Sequence, residues 1–173
     1  MTKDKCAVNR AKLVDEPIVE MILSRMYLKS NVQFMKSDIN ADFNGVDIIC
    51  YSSGIKRNLN VKRNSSKYYM SPNFTITIDK NNLTSFNGSS FVFIDEVADA
   101  LYIVNGVKLL KYIIDHPNNI NTSSDTSKKP WVLLPKRDIV SLIDNKNNII
   151  RYNKHIAKLF ELGRNEDQYK ELC

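Results

Sequence analysis

Two short apolar runs on either side of Ser52-Ser53-Gly54 constrain the fold of this chain more than any other feature of its sequence. Residues 46–51 and 55–62 are each long enough for a strand, and the Ser/Gly-rich segment between them is typical of a tight turn. Along the second run apolar and polar side chains alternate, so one face of that strand should be polar. The sequence therefore predicts an antiparallel hairpin whose second strand carries Asn60 and Lys62 on one face.

Hydrophobic periodicity predicts further helices and strands around this hairpin. The predicted helices are 17–29, with Asp15 as its N-cap, 107–115, 137–144 and 153–162. The predicted additional strands are 74–78, 91–94, 101–104 and 131–134. Residues 31–44 are expected to be irregular, Asn105-Gly106 to form a turn, and 116–130 to form a long polar loop. This order favours a single α/β domain with a mixed sheet.

Composition narrows the class of protein. The 173 residues are 43% hydrophobic and 25% charged, which is ordinary for one globular domain. No apolar run approaches the ~20 residues that span a bilayer, and the polar N-terminus lacks the apolar core of a signal peptide. The three cysteines form no CxxC pair and only two histidines are present, which disfavours a structural zinc site. We expect a cytoplasmic protein with reduced thiols and no membrane association.

The formal charge of +6 favours a polyanionic partner. Basic residues cluster in and after the hairpin, next to Tyr68 and Tyr69, and again at the start of the helix 137–144. Such a mixture of cations and aromatic rings suits a nucleic-acid backbone with stacked bases. The residues predicted to bind nucleic acid are Lys56, Arg57, Arg63, Lys67, Lys136 and Arg137.

The hairpin should also bring an acidic residue close to a lysine. Asp47 opens the first strand and Lys62 closes the second, so antiparallel pairing places them at one edge of the sheet. Metal-dependent phosphodiester cleavage uses such a set, because hard oxygen ligands hold Mg²⁺ while a lysine orients water or stabilises developing charge. No P-loop, GxSxG, HExxH or dinucleotide fingerprint appears to support another chemistry.

These residues resemble the motifs of the PD-(D/E)xK nuclease superfamily, which has the restriction-endonuclease-like fold. Gly45-Val46-Asp47 matches the aspartate motif, Asn60-Val61-Lys62 occupies the [D/E/Q]-x-K position, and a helix carrying Glu20 precedes them. The resemblance covers residues 16–144. It implies an αβββαβ core with a mixed central sheet flanked by helices, followed by a C-terminal helical extension over residues 145–173.

The resemblance also implies the chemistry of the site. The implied catalytic residues are Asp47, Asn60 and Lys62, and the implied ligands of Mg²⁺ or Mn²⁺ are Glu20, Asp47 and Asn60. The expected activity is an endonuclease that cleaves DNA, with RNA as the other substrate, and clean double-strand cleavage would need a homodimer.

Asn60 departs from the family pattern, because the amide that replaces a carboxylate carries no charge and should weaken metal binding. This departure favours an alternative: a catalytically degenerate protein of phage or mobile-element type. Such a protein would bind nucleic acid or inhibit a complex that handles it. A third reading is an unrelated α/β interaction domain. Adjacency of Asp47 and Lys62 distinguishes the first two readings from the third.

Overall fold

The computed structural model describes residues 11–37, 46–63, 73–78, 83, 86–122 and 129–162. Within them a π-helical turn, Ala11–Asp15, leads into the first of four α-helices: α1 (Glu16–Met26), α2 (Gly106–Asp115), α3 (Lys136–Ser141) and α4 (Lys154–Leu162). The strands are β1 (Val32–Lys36), β2 (Ile48–Ser52), β3 (Ile55–Arg63), β4 (Asn73–Thr77), β5 (Ser89–Asp95), β6 (Ala100–Asn105), β7 (Ile120–Asn121), β8 (Trp131–Pro135) and β9 (Ile149–Arg151).

Six strands form a central sheet in the order β1-β2-β3-β5-β6-β9. The β3–β5 pair is parallel and the other neighbours are antiparallel, which confirms the expected mixed sheet flanked by helices. The order α1-β1-β2-β3 also agrees with the start of the expected core. Between β3 and β5, however, the described part of the crossover is strand β4 rather than a helix, and β4 belongs to a second sheet, β4-β8-β7.

The central sheet separates two hydrophobic cores. On one face α1 and α4 pack against alternate strand residues, including Leu59 and Val92. On the other face the second sheet, α2 and α3 cover the intervening residues, including Phe91 and Phe93. Strand β5 is therefore buried on both faces, which explains the nearly continuous apolar run that marks it in the sequence.

The predicted hairpin is confirmed, and its turn explains the register. Ser53 and Gly54 both have positive φ angles, of 51° and 78°. Positive φ at both central residues characterises the two-residue turn whose twist matches that of the strands it joins. Ser52 then pairs with Ile55, and this pairing fixes the register of every later residue of β3.

The predicted turn at Asn105-Gly106 is wrong, because these residues begin helix α2. The Asn105 side chain accepts hydrogen bonds from two backbone N–H groups of the first helical turn, at 2.9 and 3.4 Å. A Cβ atom on Gly106 would lie 2.2 Å from the carbonyl oxygen of Phe86 and 2.8 Å from that of Ser89. The glycine thus allows the backbone of α2 to approach the preceding loop closely.

Three further expectations differ from the structure. Part of the segment expected to be irregular forms β1, the edge strand of the central sheet. The segment after residue 144, expected as a helical extension, also adds β9 to that sheet and Phe160 to its core. Asp15 has helical backbone angles and makes no capping hydrogen bond. Over the described residues, every helix is too short or too polar to cross a membrane.

Candidate functional site

The predicted catalytic residues lie together where the β2–β3 pairing ends. The backbone N–H of Asp47 donates to the carbonyl of Leu59 at 3.1 Å, which puts Asp47 opposite Asn60. The backbone N–H of Val61 donates to the Asp47 carboxylate at 2.6 Å. Since alternate residues of a strand share a face, Asn60 and Lys62 lie on either side of this hydrogen bond and point to the same face. The structure therefore brings Asp47, Asn60 and Lys62 together.

Glu20, the third expected metal ligand, does not join them. Leu59 and Val61 pack in the core beneath α1, so the residues that alternate with them face the opposite side, toward the second sheet. Glu20 lies on α1 and is half-buried there. The central sheet thus separates it from Asp47 and Asn60.

Burial differs among the three clustered side chains. Asn60 is only 3% exposed, whereas Asp47 and Lys62 are half-buried and within reach of solvent. Lys62 forms no ion pair with the described part of the chain. Among the described residues there is no group of three or more acidic, histidine or cysteine side chains that could hold a metal ion. Asp47 supplies a carboxylate directly opposite Asn60.

Arg63 does not serve as the solvent-facing phosphate ligand that the sequence predicts. Its side chain is 12% exposed and lies on the opposite face from Lys62. Its guanidinium is in ion-pair contact with Asp15 at 3.2 Å and with Glu96, both buried. It also lies 5.7 Å from the centre of the Phe160 ring, within the range of a cation–π contact. We call these four side chains the Arg63 cluster; it links the end of β3 to the start of α1 and to the β5–β6 turn.

Asp95 is a buried charged residue that the sequence analysis missed. One carboxylate oxygen accepts from the backbone N–H groups of Val97 and Ala98, both at 3.1 Å. The other accepts from the hydroxyl of Tyr102 at 2.8 Å and pairs with the ammonium of Lys136 at 2.5 Å. The sequence did contain a signal: Asp95 directly follows the apolar residues of a predicted interior strand, and a charge at such a position needs a partner when it is buried.

These contacts shift the proton affinities of the group. Burial alone would raise the pKa of Asp95, but the hydrogen bonds from Lys136, Tyr102 and the Ala98 N–H outweigh it and lower that pKa. Burial, and then the hydrogen bond to Asp95, raise the pKa of Tyr102. Asp95 is therefore charged at neutral pH and holds Lys136 in place.

The remaining basic candidates divide between two places. Lys56 and Arg57 are exposed near the hairpin turn, at the opposite end of β3 from Lys62. Arg137 is 88% exposed and has its Nε 3.3 Å from Asp138. Lys67 lies outside the described residues, as do Asp38 and Asp42, two acidic residues that precede Asp47 in the sequence.

Lys136 and Arg137 border an open cleft of about 700 Å³, which we call the α3 cleft. The described residues that line it are Asn73, Pro135, Lys136, Arg137 and Val140.

The position of the α3 cleft relative to the Asp47 site follows from the strand register, because Lys136 pairs with Asp95. Lys62 pairs with Phe93 in the parallel β3–β5 register, and Asp95 follows two residues later on the same face. From the usual strand spacing and rise, the Cα atoms of Lys62 and Asp95 are about 8 Å apart. The α3 cleft thus lies on the same face as the Asp47 site.

Comparison with known proteins gives little direct guidance. No family model matches the sequence, and no curated protein matches it. Among solved structures, the chain is similar to a nuclease from a fusselovirus, with a TM-score of 0.49 and 11% sequence identity over 96% of each chain. The assignment of function therefore depends on the residues of this chain.

Proposed function

We propose that this protein is a nuclease that cleaves phosphodiester bonds of nucleic acid, with DNA as the first substrate to test. The observation that carries the proposal is the position of the Asp47 carboxylate, which accepts the Val61 N–H between Asn60 and Lys62. Metal-dependent phosphodiester cleavage can use such a set, in which a carboxylate and an amide oxygen hold a cation and an ammonium stabilises developing negative charge.

These side chains fit a weak site for Mg²⁺ or Mn²⁺. Asp47 and Asn60 offer a carboxylate and an amide oxygen, both of which are ligands for hard cations. Mg²⁺ usually retains several waters and is held by one or two carboxylates together with substrate phosphates, so a single carboxylate is enough when substrate is present. A bound ion would neutralise charge on the phosphate and make a water more acidic.

The chain's own groups have separate roles in this proposal. The Val61 N–H fixes the orientation of the Asp47 carboxylate. The ammonium of Lys62 stabilises negative charge that develops on the phosphate, and its half-buried position strengthens that interaction by limiting competition from water. Asn60 is 3% exposed, and close packing around a buried side chain restricts its rotation.

A second candidate function is binding of nucleic acid without cleavage. It is favoured by the amide at position 60 and by the lack of a three-ligand acidic group among the described residues. In this case the same face would bind a phosphate backbone through Lys62, and no metal would be needed.

Asp47→Asn separates the two functions, because asparagine retains an acceptor for the Val61 N–H but loses the charge. We would measure Mg²⁺ and Mn²⁺ binding by calorimetry, and cleavage of plasmid and single-stranded DNA and RNA. Asp115→Asn, an exposed acidic residue on α2, is the matched control.

If the protein is a nuclease, Asp47→Asn should reduce cleavage by about 100-fold or more, because a metal ligand should matter at least as much as the groups that only support one, while the control cleaves normally. Nucleic-acid binding without cleavage by the wild type would establish the second candidate. Lack of both binding and cleavage would refute both functions. Cleavage of both strands of a duplex would predict a protein dimer. Analytical ultracentrifugation in the presence of substrate would then show a sedimenting species that contains twice the protein mass.

A further inference from the structure

The α3 cleft combines a suitable size with cationic and apolar lining. Its volume of about 700 Å³ lies in the range of sites that hold small organic ligands. Lys136 and Arg137 supply positive charge, and Pro135 and Val140 supply apolar surface. A phosphate attached to a sugar and a base has both kinds of surface.

Lys136 is held in position rather than extended into solvent. Its ammonium has three N–H donors, and the ion pair with Asp95 uses one of them. The Asp95 carboxylate is itself fixed by the Tyr102 hydroxyl and two backbone N–H groups. The Lys136 side chain is nevertheless 34% exposed, so a ligand in the cleft can reach it.

Arg137 offers the complementary contact. Its guanidinium has five N–H donors, of which the Nε–H faces Asp138, and 88% of the side chain is exposed. The planar group can bind a phosphate with two parallel hydrogen bonds. The two cations are neighbours in sequence at the rim of the cleft and differ in rigidity.

We propose that the α3 cleft is a phosphate-binding subsite for single-stranded nucleic acid, in which Lys136 and Arg137 contact the backbone next to the Asp47–Asn60–Lys62 face. The inference deepens the proposed function and rests on it for the identity of the ligand. A single strand is favoured because a cleft of this size admits one or two nucleotides, and their sugar and base surfaces can contact Pro135 and Val140. In a duplex the base faces are stacked and cannot make such contacts.

The test is the salt dependence of binding to a fluorescein-labelled 12-nucleotide DNA strand. Binding is measured by fluorescence anisotropy, and EDTA is present so that cleavage does not interfere. Arg137→Gln is the main variant, because so exposed a side chain can be changed without loss of the fold. The double variant Asp95→Asn/Lys136→Gln removes the second cation together with its buried counter-ion. Lys154→Gln/Lys158→Gln removes two exposed charges from α4, on the opposite face of the sheet, and is the matched control.

Loss of one phosphate contact should reduce the slope of log K against log salt by about 0.7 and weaken binding about fivefold at 0.1 M salt. We expect this result for Arg137→Gln and for the Asp95/Lys136 double variant, but not for the α4 control. Binding by Arg137→Gln that equals wild type, no binding by the wild type, or stronger binding to a duplex of equal length would overturn the inference.

The same assay distinguishes failure of the subsite from failure of the proposed activity. If Asp47→Asn and wild type both lack cleavage but binding depends on Arg137, the subsite stands and the nuclease activity falls. If wild type cleaves and Arg137→Gln changes neither binding nor cleavage, the nuclease activity stands and the subsite falls.

Discussion

Replacing Arg63 by methionine should lower the free energy of unfolding by about 3–5 kcal/mol. The change takes the guanidinium away from the carboxylates of Asp15 and Glu96, both of which are buried. Removing one partner of a buried ion pair typically costs about 3–5 kcal/mol, because the charge of the other partner stays buried without compensation. Methionine has a similar length and can still pack on Phe160, so little of the loss should come from an empty cavity.

Urea unfolding followed by circular dichroism measures this loss directly. In a thermal experiment the same change should lower the melting temperature by roughly 6–20 °C for a domain of this size. Arg57→Met is the matched control, because Arg57 is on the same face of β3 but exposed, and it should cost less than about 0.5 kcal/mol.

A triple variant, Arg63→Met/Asp15→Asn/Glu96→Gln, tests the cause. It should recover a large part of the lost stability, since it removes the buried negative charges as well. A loss below about 1 kcal/mol in Arg63→Met, or a triple variant no more stable than the single one, would refute the idea that buried charge causes the effect.

Three further changes probe other contacts. Because its folded-state pKa is lowered, Asp95 contributes stability that is fully present above its unfolded pKa of 3.8. That stability is lost as the pH falls through the lower folded-state pKa, so Asp95→Asn should flatten the acid limb of a stability–pH curve, and an unchanged curve would contradict this. Gly106→Ala should destabilise the protein in urea unfolding although alanine favours helices, since its Cβ would lie 2.2 Å from a backbone oxygen; a gain in stability would contradict this. Asn105→Ala should cost about 1 kcal/mol through loss of the α2 cap, and an unchanged unfolding midpoint would show that the cap contributes nothing.

The elements that the sequence predicted well have strong local signals. The hairpin has two strand-length apolar runs and a turn with a glycine, and α2 has apolar residues at regular helical spacing. The missed strands lack such signals. β1 is a partly exposed edge strand with polar residues, and β9 has only three residues. Their strand conformation depends on pairing with β2 and β6, which local sequence does not reveal.

The candidate site shows the same division between local and long-range information. The spacing of Asp47 and Lys62 in a hairpin was enough to predict their adjacency, because a short turn fixes the register. Asp95 and Lys136 were not predicted as a pair, since their contact requires α3 to dock beside the end of β5. Their roles in function stay predictions until the variants are measured.

The sequence by itself determined the hairpin, most helices and the placement of Asp47, Asn60 and Lys62 on one face, because these features depend on side-chain period and turn geometry over a few residues. Tertiary structure alone decided that Glu20 lies across the sheet and that Arg63 is buried with Asp15 and Glu96. Arg63 and Glu96 are 33 positions apart, and only the packing of β5 and α1 around the end of β3 brings their charges together. A basic residue is the same in sequence whether it faces a phosphate or a buried carboxylate, and the surrounding fold determines which partner it meets.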